Sequence, residues 1–172
     1  MIDIIHKTLK KASRWAPCLV AVLLWQTAHG QIAISVSGNW STVLDVASVT
    51  EAGNDFHSSY LSASNAVMID VFKTAGSNAP FNWRVDVRKS DVDWGSNLQL
   101  FVRRTGDGFA PLGNSAINGG TSFQLLTNNN QLFFSGRRQR YDIPIQFQLT
   151  GVSVLLPAKT HVTTVIYTVT EL

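Results

Sequence analysis

From residue 31 to the end of the chain, apolar and polar positions alternate with a period of two. The sets are Ile32, Ile34 and Val36; Val67, Ile69 and Val71; Trp83, Val85 and Val87; Leu98, Leu100 and Val102; Phe123 and Leu125; Ile143, Ile145, Phe147 and Leu149; and Val165, Tyr167 and Val169. Polar residues fill the places between them, as Arg84, Asp86 and Arg88 do in the Trp83 run. This is the pattern of a strand with one face on a core and the other in water. The connections carry residues that tolerate a reversing backbone: Gly53-Asn54-Asp55, Gly76-Ser77-Asn78, Thr105-Gly106-Asp107-Gly108, Asn118-Gly119-Gly120, Asn128-Asn129-Asn130 and Ser135-Gly136. At least seven short strands with this punctuation predict an all-β fold, an antiparallel β-sandwich of Ig-like or jelly-roll Greek-key type, as one domain over residues 31–172. Trp83, Val85 and Leu100 are expected in its core. Residues 51–66 read as loop, because Phe56 and Tyr60 are four apart but no helix cap accompanies them.

The first thirty residues break the pattern. Lys7, Lys10, Lys11 and Arg14 precede an apolar run from Trp15 to Trp25, and Ala28-His29-Gly30 places small residues where a signal peptidase reads. Residues 1–30 are therefore expected to be a signal peptide cleaved before Gln31. The apolar run is shorter than the roughly 18 to 20 residues that cross a bilayer as a permanent helix. A secreted or cell-surface protein of a bacterial host, with no integral membrane segment after cleavage, is the expectation.

Removing this segment changes what the charge means. The chain carries 14 Lys and Arg against 11 Asp and Glu, a net charge of +3. Four of those bases and one acid, Asp3, lie in the first thirty residues, which leaves ten of each sign. A formally neutral domain gives no basis for nucleic-acid binding. The single cysteine, Cys18, also lies in the apolar run, so residues 31–172 have no disulfide, no thiolate metal ligand and no thiol nucleophile.

Candidate chemistry is sparse. Asp91 and Asp93, with Asn97 beyond, have oxygen ligands at short spacing, but they lack the glycine and distal glutamate of an EF-hand loop. They read as a polar turn between the Trp83 and Leu98 strands, with calcium binding left open. His57 and His161 are the histidines of residues 31–172; neither sits in a nucleophile–base motif, and both are expected on the surface. No catalytic residue, metal ligand or cofactor site is assigned, and an enzyme is not expected. Arg103-Arg104 and Arg137-Arg138-x-Arg140 could pair phosphate or carboxylate groups. Adjacent strand residues point to opposite faces, so Arg103 and Arg104 cannot both serve one patch unless the strand has ended before them. Flat aromatic rings beside polar loops suggest a glycan-binding alternative. Its candidate ligand surface comprises Trp94, Tyr60, Arg137, Arg138 and Arg140.

Both ends of the predicted domain are strong strands. "QIAISVSG" opens it and "HVTTVIYTVTEL" closes it. A signal peptide, a short alternating N-terminal strand and a cysteine-free sandwich closing on a Thr/Val/Tyr alternation resemble secreted pilin-like subunits, fimbrial or of biofilm-matrix filaments. That resemblance implies a surface structural protein, filament subunit or adhesin that self-assembles by strand exchange. Residues 31–37 would be the donor strand, with Ile32, Ile34 and Val36 as its interface. Val165, Tyr167 and Val169 would form the acceptor or terminal strand. The partner would be the protein itself, or surface glycans if it does not polymerise. Many such subunits carry a disulfide, which this chain lacks.

Overall fold

The computed structural model describes residues 31–44, 56–74 and 79–172, together with the backbone of residues 2–7. Most of the expected signal peptide, Cys18 included, and the Gly53 and Gly76 turns lie outside the described residues. Among the described residues there is no helix; twelve strands form two sheets.

The strands are β1 (Ile2–Lys7), β2 (Ile32–Gly38), β3 (Trp40–Thr42), β4 (Ser59–Leu61), β5 (Val67–Lys73) and β6 (Asn82–Asp93). They continue with β7 (Gln99–Arg104), β8 (Ala116–Gly119), β9 (Gln124–Leu125), β10 (Gln131–Arg137), β11 (Arg140–Thr150) and β12 (His161–Glu171). One sheet has the order β3-β1-β12-β6-β10-β8. The other runs β2-β5-β11-β7-β9, with β4 paired to the far end of β11. Every pairing is antiparallel except β1 with β12. The architecture is β-sandwich-like, as the alternation predicts.

The period-two positions meet between the sheets. Val85 and Val87 from the first sheet share one core with Val71, Leu100 and Ile145 from the second, and Trp83 is fully buried among them. Its ring meets Phe134 edge-on at 5.9 Å, and its Nε1 donates to the Arg138 carbonyl at 2.6 Å. That bond matters because an indole N–H buried without an acceptor is costly. A smaller cluster of Leu98, Leu149 and Val152 closes one end, with Trp40, Phe56, Tyr60 and Trp94 packed around it.

Four features differ from the sequence reading. β10 is not visible in the alternation, and Ser135-Gly136, expected as a connection, lies inside it, paired with Arg84 and Trp83. Leu132 is exposed while Phe133 and Phe134 are both buried, because the register against β6 shifts between Leu132 and Phe134. A bulge turns two successive residues inward and erases the period of two. Next, β6 continues to Asp93, so Asp91 and Asp93 belong to a strand rather than a turn. Asp91 accepts from Lys89 Nζ and from Thr163 Oγ1, and Asp93 pairs with Lys159. The strand expected at Phe123 and Leu125 is reduced to two residues, and Leu126 rather than Leu125 fills the core. Finally, part of the expected loop is strand, since β4 covers residues 59–61.

Candidate functional site

The final strand is a member of its sheet rather than a free tail. From Val162 to Glu171, β12 pairs along β6, and Val165 and Tyr167 are buried between the sheets. Burial pushes the Tyr167 phenol far above its usual range, so it stays neutral. Val169, partly buried, packs on the same core. The second edge of β12 is occupied over His161–Ile166 by β1 in parallel register, with Ile2 level with His161 and Lys7 level with Ile166. The other edge of β1 carries β3, with Ile4 level with Trp40. A segment that the sequence assigns to the signal peptide thus lies between two strands of the domain.

The N-terminal strand of the domain is also held within its own chain. From Ile32 to Gly38, β2 pairs residue by residue with Lys73 back to Val67 of β5. Ile32, Ile34 and Val36 pack on the main core but remain partly exposed. β2 is the edge of its sheet, whereas Val165, Tyr167 and Val169 belong to the other. The two sets of residues proposed as donor and acceptor therefore do not pair with one another within the molecule. Gly38 marks the crossing between sheets: its φ of +96° suits glycine, and a Cβ there would run into the Ala66 carbonyl.

The proposed ligand surface divides into two. Tyr60 lies level with Leu149 near one end of β11, while Arg140 begins its other end. Nine residue steps at about 3.3 Å each separate them by about 30 Å along the strand. Trp94 joins Tyr60 at the first end, with its Nε1 donating to the Leu98 carbonyl at 2.8 Å and Lys89 Nζ 5.5 Å above its ring. His57 meets Tyr60 edge-on. Both rings serve chiefly to cap the sandwich.

At the opposite end, Arg137 is exposed and lines an open groove of about 360 Å³ with Asn82, Asn118, Ser135 and the edge of Trp83. Arg138 has a φ of +62°; its N–H donates to the Phe81 carbonyl and its carbonyl accepts from Trp83, so its backbone builds the turn. Arg140 is buried, with Nη1 donating to the Asp107 carbonyl at 3.2 Å.

Arg103 and Arg104 point to opposite faces, as alternation requires. Arg103 forks onto Gln146 Oε1 at 2.9 and 2.8 Å and stacks on Phe123. Arg104 turns inward, donating to the Gly119 and Gly106 carbonyls at 3.0 and 2.9 Å and pairing with Asp107. It is a clamp for the 105–108 loop, not a ligand group. An Arg104→Met chain keeps the stem but leaves two carbonyls without their donors, so it should lose about 1–3 kcal/mol of stability. A thermal melt reads this as a Tm lowered by several degrees; an unchanged Tm would contradict the clamp.

His161, expected at the surface, is 3% exposed, and neither ring nitrogen has a hydrogen-bond partner among the described residues. Its ring lies beside Gly95 and the Leu156 side chain, where the loop before β12 folds over the strand. Periodicity places a residue on a face but does not reveal a loop that later covers it. Among the described residues, no three His, Cys, Asp or Glu side chains gather as a metal site, and no helix is long and apolar enough to cross a membrane. Compared with protein-family models, with curated proteins and with solved structures, the chain matches none of them.

Proposed function

We propose that this chain is an exported surface structural protein, a filament subunit or adhesin, whose copies associate by exchanging β-strands. The observation that supports it best is the state of β2. This seven-residue strand is attached at the margin of its sheet through one ladder, to β5, with its three large apolar side chains only partly covered. Such a strand can leave its own molecule at the cost of one ladder and regain main-chain hydrogen bonds on another copy. In this reading residues 1–30 direct export to the surface of a bacterial cell or beyond it. The sandwich is a Greek-key type of Ig-like or jelly-roll kind, and no enzymatic role or cofactor is assigned. Deleting residues 31–37 should abolish assembly in light scattering while circular dichroism still reports a folded, less stable β domain. Undiminished assembly of the deleted chain refutes β2 as donor.

A second reading is a glycan- or surface-binding module that does not polymerise. The groove beside Trp83 favours it, since Asn82, Asn118, Ser135 and Arg137 offer the mixed donors and acceptors that sugar hydroxyls need. A glycan array probed with the monomer distinguishes the two.

A further inference from the structure

We infer that the outer edge of β12, with β3 as its far wall, is a slot for β2 of a second copy, and that residues 2–7 hold this slot closed until the leader is removed. The inference rests on the strand-exchange reading and names its acceptor. In the intact chain β1 satisfies two strands at once: six residues of β12, from His161 to Ile166, and all three of β3. Removing residues 1–30 takes β1 away and bares main-chain N–H and C=O groups on both walls of a space one strand wide. Unpaired backbone of this kind is a template for another strand.

The registers decide which strand can fill it. The chain's own β2 precedes β3 by only Gly38-Asn39, with Gly38 counted in β2 itself, so it could reach the slot only as a hairpin with β3. A two-residue turn at Gly38-Asn39 would set Ser37 opposite Trp40, the place that Ile4 holds level with Thr163. Val36 and Ser35 would then lie level with Val162 and His161, and residues 31–34 would run past the start of β12. Thr164, Val165 and Ile166 would stay bare. A second copy's β2 is not tied to that turn and is long enough for all six positions.

Sequence and ladder number agree with this occupant. β1 and β2 both open on Ile-x-Ile, as Ile2-Asp3-Ile4 and Ile32-Ala33-Ile34. On β5 a β2 strand satisfies one ladder, whereas in the slot it satisfies two, against β12 and β3. Its departure replaces one bare edge on that side of the donor's sheet, that of β2, by another, that of β5.

The test closes the slot covalently. A full chain carrying Cys18→Ala, Ile5→Cys and Thr164→Cys, with a protease site before Gln31, places the new thiols at a paired position of β1 and β12. Oxidised and then cut, it should remain single copies in light scattering and negative-stain microscopy. Reduction should release residues 1–30 and raise the mean particle mass at least tenfold. Equal assembly before and after reduction would overturn the closed slot while leaving strand exchange standing. No assembly in either state would overturn strand exchange and this inference with it. Adding Ile34→Asp to the reduced, cut chain should return it to single copies, and continued assembly would rule out β2 as the occupant. A synthetic peptide of residues 2–7 added to the unmutated, cut chain should slow assembly, a readout that does not depend on any variant folding; no slowing counts against the slot.

Discussion

A Val85→Asp chain is expected not to fold. Val85 has no exposed surface and lies in β6, which is paired on both sides, level with Val169 of β12 and Phe134 of β10. The substitution removes an apolar side chain whose burial contributes about 1.5–3 kcal/mol. It also places a carboxylate where nothing can pair with it, at a cost of several kcal/mol more. Set against a typical domain stability of about 5–15 kcal/mol, the two terms together are enough to unfold a protein with no disulfide in residues 31–172. Leu100→Asp applies the same load from the other sheet, and Leu100 is equally buried. Thr170→Asp, at an exposed position level with Arg84, should leave folding intact. Circular dichroism and a thermal scan check all three; a cooperative melt from either core variant would show that the core face has been misassigned.

The second large effect is expected at a glycine. Gly136 lies in β10 level with Trp83 on one side and Ile117 on the other. A Cβ there would overlap the Trp83 ring, with Cη2 at 2.6 Å, and would stand 2.8 Å from the Ala116 carbonyl. The ring cannot yield easily, because it is fully buried and its N–H is committed to the Arg138 carbonyl. Moving it would break that bond inside the core. Gly136→Ala should therefore cost about 2–5 kcal/mol in urea denaturation, combining overpacking with an unsatisfied donor. Pairing it with Trp83→Phe shrinks the ring and removes the donor, so the double variant should cost less than the sum of the singles. Strict additivity would mean that the two positions do not press on each other.

The regular strands could be read in advance because their residues answer to one rule. Val67, Ile69 and Val71, or Leu100 and Val102, alternate without interruption, and each is buried. Irregular places escaped it for physical reasons. Phe133 and Phe134 turn inward together at a bulge, Leu126 displaces Leu125 after a two-residue strand, and His161 is covered by Leu156 of the loop just before it and by Gly95 beyond β6. The proposed ligand surface shows the same limit. Trp94 and Arg137 have suitable chemistry, but strand direction, not residue type, sends them to opposite ends of the sandwich.

Short-range physics set the strand content, the polar and apolar faces, and the split of Arg103 and Arg104 across one strand. Each depends only on side-chain type and the two-residue repeat of an extended backbone. Which strands became neighbours was decided in three dimensions: β12 beside β6, β2 on β5, and β1 wedged between β12 and β3. Main-chain hydrogen bonding is nearly blind to sequence, so a ladder's partner follows from how the two sheets close over Trp83, Val85 and Leu100.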